Sequence, residues 1–135
     1  MNKIISHASN KDHYKADACI TWCFDNRFSS ALEAFTRQRG YAQVDLIKVA
    51  GGAKGLADGG GDSLYLLDQI AKSIKLHHTP RVVVMAHSEC GAYGGSVDPA
   101  FYECELKKAA GAVSALFPSI EVEAVFADFD GIKLV

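Results

Sequence analysis

The apolar run of residues 82–86, VVVMA, constrains the fold more than any other segment. A continuous β-branched run is typical of a strand buried on both faces, and such strands belong to parallel sheets covered by helices. Strand-length segments also occur at ADACITWCF (16–24), VDLIKVA (44–50) and residues 120–135, with amphipathic helical segments between them. This alternation predicts an α/β domain with a mostly parallel central sheet of about four or five strands flanked by helices.

The organisation along the chain is simple. A length of 135 residues suits one domain with its own core. Residues 1–16 are polar and are predicted to form an irregular N-terminal arm, and residues 17–135 the single domain. The glycine-dense segment 51–61, GGAKGLADGGG, lacks the order of a phosphate-binding motif and is predicted to be a loop, followed by a helix capped by Asp62 or Ser63.

Composition excludes several classes of partner. A formal net charge of −2 gives no attraction to nucleic acid or to an anionic membrane. No apolar stretch has the length of a signal peptide or a membrane span, so a cytoplasmic location is expected. The four cysteines are then expected to stay reduced. Cys19 and Cys104 suit the role of small buried hydrophobes.

Two segments carry residues that strands alone do not explain: CFDNR (23–27) and HSEC (87–90) each follow an apolar run. The carboxyl ends of parallel strands meet at one edge of a sheet, where reactive residues gather. Cys23, His87 and Cys90 together form a Cys2His group, a common donor set for zinc. Taken alone, His87 also fits a hydrogen-bonded core histidine.

Asp25 and Arg27 of the first segment extend this site. On a continuing strand Cys23, Asp25 and Arg27 would share one face, and Arg27 would hold Asp25 in a two-pronged hydrogen bond. Taken alone, the pair also fits a simple ion pair. Beside a metal, Asp25 either fills the fourth coordination position or pairs with Arg27, which leaves that position to water.

Glycines and one aromatic residue complete the set of candidates. Gly51 and Gly52 follow the strand-length segment 44–50, Gly91 and Tyr93 follow HSEC, and all four are candidate pocket residues.

The pair CFDNR and HSECG resembles the signature of the β-class carbonic anhydrases, and VDLIKVAGG and VFADFDGIKLV resemble flanking regions of that family. The resemblance implies a zinc enzyme that hydrates carbon dioxide to bicarbonate through a zinc-bound hydroxide. It implies Cys23, His87 and Cys90 as ligands and Asp25 and Arg27 as catalytic residues. It also implies a homodimer or larger homo-oligomer with the cleft at a subunit boundary.

The chain departs from the family pattern in three ways. Residues 1–16 are not expected to form the N-terminal helical arm of the family, no glutamine lies between Met1 and Cys23, and Lys48 stands where the family has an arginine–asparagine pair. Two alternatives follow: a non-catalytic module of the same fold that binds zinc or a small molecule, and a hydrolase of another small electrophile.

Overall fold

Five strands form one sheet in the computed structural model, which describes residues 1–135. They are β1 (Ala18–Cys23), β2 (Val44–Val49), β3 (Arg81–His87), β4 (Glu121–Asp128) and β5 (Gly131–Leu134). Their order across the sheet is β2-β1-β3-β4-β5. All pairings are parallel except the β4–β5 hairpin. The prediction of a mostly parallel sheet flanked by helices is therefore confirmed.

Four α-helices connect the strands: α1 (Ser29–Arg39), α2 (Lys54–Asp58), α3 (Gly60–His77) and α4 (Pro99–Leu116). The connection from β1 to β2 runs toward one edge of the sheet. The connection from β2 to β3 passes over β1 and runs toward the other edge, as does the connection from β3 to β4. Right-handed crossovers then place α1 on one face and α3 and α4 on the opposite face. Accordingly the ring of Trp22 lies 6.2 Å from that of Phe35 in α1, and Phe126 lies 5.1 Å from Tyr102 in α4.

The central strands are buried as the apolar runs predict. Every residue of β1 is buried, and so is every residue of β3 after Arg81. Main-chain groups of these strands pair within the sheet, and the Met85 carbonyl oxygen accepts from the Ala53 N–H of the turn after β2, as buried main-chain polar groups require.

Three details differ from the sequence-based expectations. The glycine-dense segment contains α2, because Leu56 is buried against the core and fixes a helical turn there. Helix α3 begins at Gly60, so Gly59 is its N-cap and Asp62 lies in its first turn. Cys19 is buried, but Cys104 is exposed on α4.

The N-terminal segment is held at one side of the sheet. Residues 1–16 form no helix or strand. The Tyr14 hydroxyl donates to Asp45 over 2.7 Å, and the main-chain N–H of Ala16 donates to the His77 carbonyl oxygen. None of the helices combines the length and the apolar character that crossing a membrane requires.

Candidate metal centre

The predicted ligands lie at the ends of two adjacent strands. Cys23 is the last residue of β1 and His87 is the last residue of β3. The two strands are parallel neighbours, and the strand order reverses between them because β2 follows β1 on the other side. Such a reversal opens a crevice at the carboxyl ends of the strands. The site lies in that crevice.

The structure brings the three residues together. One donor atom from each of Cys23, His87 and Cys90 lies within 4.8 Å of the other two, and all three residues are buried. The ring Nδ1 of His87 is 2.8 Å from the Ser88 carbonyl oxygen. Since a carbonyl accepts only, Nδ1 carries the proton and Nε2 has a free lone pair in the neutral ring. Nε2 is buried and has no hydrogen-bond partner.

The two sulfurs lie close enough to change each other's ionisation. The neighbouring Cys90 thiol lowers the pKa of Cys23, with further contributions from His87 and from main-chain N–H groups, against the opposing effect of burial. The same contact and burial raise the pKa of Cys90. Burial lowers the pKa of His87, but the contacts with Cys23 and with the Ser88 carbonyl outweigh it and raise the pKa overall. The thiolate form of Cys23, the form that binds metals, is therefore favoured.

The turn from His87 to Cys90 has a specific backbone shape. Glu89 adopts a left-handed conformation with φ of +55°, which is uncommon for a residue other than glycine. Its N–H donates to the Ser96 carbonyl oxygen over 2.9 Å. The main-chain N–H of Cys90 donates to the Tyr102 hydroxyl over 3.3 Å, and that hydroxyl donates to Ser96 as well.

Asp25 and Arg27 form the expected pair by a different route. The strand ends at Cys23, and Asp25 caps a single 3-10 turn, Asn26–Phe28, by accepting from the Arg27 N–H. The guanidinium donates back to both carboxylate oxygens, the shortest contact being 2.7 Å. These bonds lower the pKa of Asp25 to about 2. A turn, rather than the alternation of a strand, therefore makes the pair.

Arg27 also joins the two ligand segments. Its Nη2 donates to the Glu89 carbonyl oxygen over 3.2 Å, and Nη1 lies 3.4 Å from the Glu89 carboxylate. The sequence did not suggest this contact or the support that Tyr102 gives to Cys90. For the contact between Tyr102 and Cys90, the only signal in the sequence was a tyrosine on the apolar side of a predicted helix. Such a tyrosine does not indicate which residue it contacts.

A pocket of about 360 Å³ opens onto the site. Its walls are mostly apolar, and its lining residues are Cys23, Phe24, Asp25, Ala50, Gly51, Cys90, Gly91 and Ala92. Gly51 and Gly91 are thus placed as pocket residues. Gly52 is instead buried between β1 and β3, and the Tyr93 ring packs edge-on against Phe101 and Tyr102.

Comparisons with known proteins give a family match but no curated relative. The profile of a family described as "Putative carbonic anhydrase" matches residues 13–133. A search of curated proteins finds no significant match.

Solved structures share the fold at low identity. The β-carbonic anhydrase isoform I of Trichomonas vaginalis superposes with a TM-score of 0.64 and 16% identity, over 96% of this chain and 87% of that one. A tetrameric β-carbonic anhydrase of Sordaria macrospora superposes with a TM-score of 0.57 and 14% identity, over 90% of this chain and 81% of that one. The apo form of a carbon disulfide hydrolase superposes with a TM-score of 0.54 and 13% identity, over 89% of this chain and 79% of that one. Because the family profile covers most of the chain, the protein belongs to the family described as "Putative carbonic anhydrase".

Proposed function

We propose that this protein is a zinc-dependent carbonic anhydrase that hydrates carbon dioxide to bicarbonate. The observation that carries the proposal is the convergence of Cys23, His87 and Cys90 within 4.8 Å at the end of the sheet. The three residues are buried, and the Nε2 atom of His87 has no hydrogen-bond partner within the protein. A buried polar atom without a partner is costly unless something binds it.

The donor set fits zinc. Two thiolates and one imidazole are a donor set found in catalytic zinc sites, where three protein ligands are joined by water or substrate. When bound, zinc would supply the positive charge that allows water to ionise near neutral pH. Cys23, His87 and Cys90 would hold the ion.

The chain's own residues would then prepare the pocket for the reaction. The guanidinium of Arg27 keeps Asp25 ionised and fixes its direction. Asp25 lines the pocket, so its carboxylate can accept a hydrogen bond from the attacking water and orient it. The apolar walls at Phe24, Ala50 and Ala92 suit a small neutral molecule such as carbon dioxide.

Two other functions of the same site remain as alternatives. The likeness in fold to a carbon disulfide hydrolase and the apolar pocket support a hydrolase of a small carbon–sulfur electrophile. The Oδ2 atom of Asp25 lies 3.9 Å from Nε2 of His87. This position supports a non-catalytic zinc-binding module in which the Asp25 carboxylate is the fourth ligand of the metal.

An oligomeric enzyme in the cytoplasm is part of the proposal. The Sordaria macrospora relative is tetrameric, and in this chain the Phe24 and Phe129 side chains are 63% and 60% exposed. Phe24 lines the pocket, and Phe129 packs against Phe28 and the Arg27 guanidinium beside it. Contact between copies would cover these rings. Light scattering of the purified protein measures the assembly.

Stopped-flow hydration of carbon dioxide by the zinc-loaded protein tests the function. Zinc content is measured first by elemental analysis, with His87→Ala as the variant that loses the ion. We expect zinc-dependent hydration above the buffer rate at neutral and mildly alkaline pH. Full zinc content with no hydration refutes the carbonic anhydrase proposal. Turnover of carbon disulfide by the same sample then favours the hydrolase, and no turnover favours the binding module.

A further inference from the structure

The two strands that carry the ligands separate before they reach them. β1 and β3 are paired only over Cys19–Thr21 and Val82–Val84. In contrast, β3 remains paired with β4 through His87. The last residues of β1 and β3 therefore need another element to set the distance between them.

The turn after β2 takes that place. The main-chain N–H of Ala53 donates to the Met85 carbonyl oxygen over 2.7 Å, and the N–H groups of Phe24 and Gly52 both donate to the Val49 carbonyl oxygen over 3.2 Å. The turn thereby replaces β1 as the hydrogen-bond partner of β3 at Met85. It inserts between the two strands where their own ladder ends.

Gly52 is the residue at the point of insertion. Its φ is +60°, and a Cβ added there would lie 2.4 Å from the Met85 oxygen, 3.1 Å from the Cys23 nitrogen and 3.3 Å from the Trp22 carbonyl carbon. The first atom belongs to β3 and the other two belong to β1. All three are backbone atoms, which a rotamer change cannot move away.

We infer that Gly52 is a positioning residue that sets the separation between Cys23 and the His87–Cys90 pair, an inference that rests on the proposed metal site. A side chain at this position would force the strand ends apart by about 1 Å, the difference between 2.4 Å and an ordinary contact of 3.4 Å. Zinc–sulfur and zinc–nitrogen bonds of about 2.3 and 2.0 Å leave no room for such a displacement.

Gly52→Ala tests the inference, with Gly40→Ala as its matched control. Gly40 has a φ of +71°, so alanine meets the same left-handed backbone, but no atom lies within 4 Å of the added Cβ. Cobalt(II) is the probe, because the intensity of thiolate-to-cobalt absorption reports the number of bound sulfurs. We expect cobalt affinity to fall by about 10- to 100-fold in Gly52→Ala, with weaker thiolate absorption. Gly40→Ala should match the unaltered protein in both.

The results of these experiments distinguish failure of the inference about Gly52 from failure of the proposed metal site. Equal affinity and equal spectra in Gly52→Ala and the unaltered protein overturn the inference alone. Absence of cobalt and zinc binding by the unaltered protein overturns the proposed metal site and the inference with it.

Hydrogen exchange in the unaltered protein covers the case in which Gly52→Ala does not fold. We expect the Ala53 amide to be protected and to gain protection when zinc binds, because the ion holds both strand ends against the inserted turn. Exchange of this amide at the rate of an open loop in the zinc-loaded protein overturns the inference.

Discussion

The Oδ2 atom of Asp25 lies 3.9 Å from Nε2 of His87, so a carboxylate borders the proposed ligand nitrogen without bonding to it. Arg27 holds the carboxylate in that position through several hydrogen bonds. The guanidinium also reaches the Glu89 carbonyl oxygen on the other ligand segment. Arg27 thus holds Asp25, a potential fourth ligand, away from the donor atoms of the proposed metal site.

Replacing Arg27 by alanine should lower activity without removing zinc. The freed Asp25 carboxylate can then compete with water for the metal, and we expect kcat/KM for hydration to fall about 10- to 100-fold. Arg37→Ala, at an exposed position of α1, is the control and should be fully active. Elemental analysis and stopped-flow hydration on the same samples measure the two quantities.

A second substitution distinguishes this explanation from simple loss of a positive charge. Adding Asp25→Asn to the Arg27→Ala variant removes the negative charge that competes for the metal but keeps an oxygen that can accept a hydrogen bond from the attacking water, so part of the lost hydration rate should return. Full activity of Arg27→Ala would show that the guanidinium has no such role. A double variant slower than Arg27→Ala would show that the carboxylate is needed even when it is released.

Cys90→Ser should lose zinc, whereas Cys104→Ser should keep it. Cys90 is one of the three convergent donors, and Cys104 is exposed on α4. Loss of a ligand should reduce zinc affinity by more than the roughly 10- to 100-fold typical of residues behind the ligands. Competition with a chromophoric chelator measures the affinity. Equal zinc content in the two variants would place the metal elsewhere.

The approach of Cys23 and His87 could be predicted because it depends on topology alone. Parallel neighbouring strands align their carboxyl ends, so apolar runs that end at Cys23 and His87 are enough to bring the two residues together. Cys90 follows His87 by one short turn. The exact position of Cys90 depends on the shape of that turn, in which Glu89 is left-handed.

The rest of the site depends on backbone shapes that residue patterns do not specify. The left-handed conformation of Glu89 and the insertion of Gly52 between two strands arise from contacts between distant segments. Asp25 and Arg27 would share one face if the strand continued through them, but it ends at Cys23 and Asp25 caps a turn instead. Their pairing survives because residues two apart can also bond across such a turn.

Trp22→Phe should destabilise the fold on the side of the sheet that supports His87. The Trp22 Nε1–H donates to the Phe28 carbonyl oxygen over 3.2 Å in a buried position, and the Phe28 ring lies 4.3 Å from the imidazole of His87. Loss of this bond should lower the free energy of unfolding by about 1–3 kcal/mol. Urea unfolding of the metal-free protein measures it.

Tyr65→Phe is the control for that experiment. Tyr65 is 60% exposed on α3, so removing its hydroxyl should change the free energy of unfolding by less than about 0.5 kcal/mol. If Trp22→Phe lowers the free energy of unfolding by as little as the control does, the buried hydrogen bond contributes little to stability.

Asp45→Asn should remove a pH-dependent part of the stability. The carboxylate accepts hydrogen bonds from Ser73 Oγ (2.6 Å), Tyr14 Oη (2.7 Å) and His77 Nδ1 (2.8 Å). Burial raises the pKa of Asp45, but these bonds, with that from Ser73 foremost, outweigh burial and lower the pKa below its ordinary value. The folded state therefore favours the ionised carboxylate.

The sign of the pH effect follows from the lowered pKa. The contribution of Asp45 is fully present above the unfolded pKa of about 3.9 and is lost as the pH falls through the lower folded value. We expect the free energy of unfolding of Asp45→Asn to be about 1–3 kcal/mol below that of the unaltered protein at neutral pH. This gap should close at acidic pH. Asp68→Asn, at an exposed ion pair with Lys72, should show a gap below about 1 kcal/mol at every pH. Urea unfolding across this pH range measures both, and a gap for Asp45→Asn that does not change with pH would contradict the role of its charge.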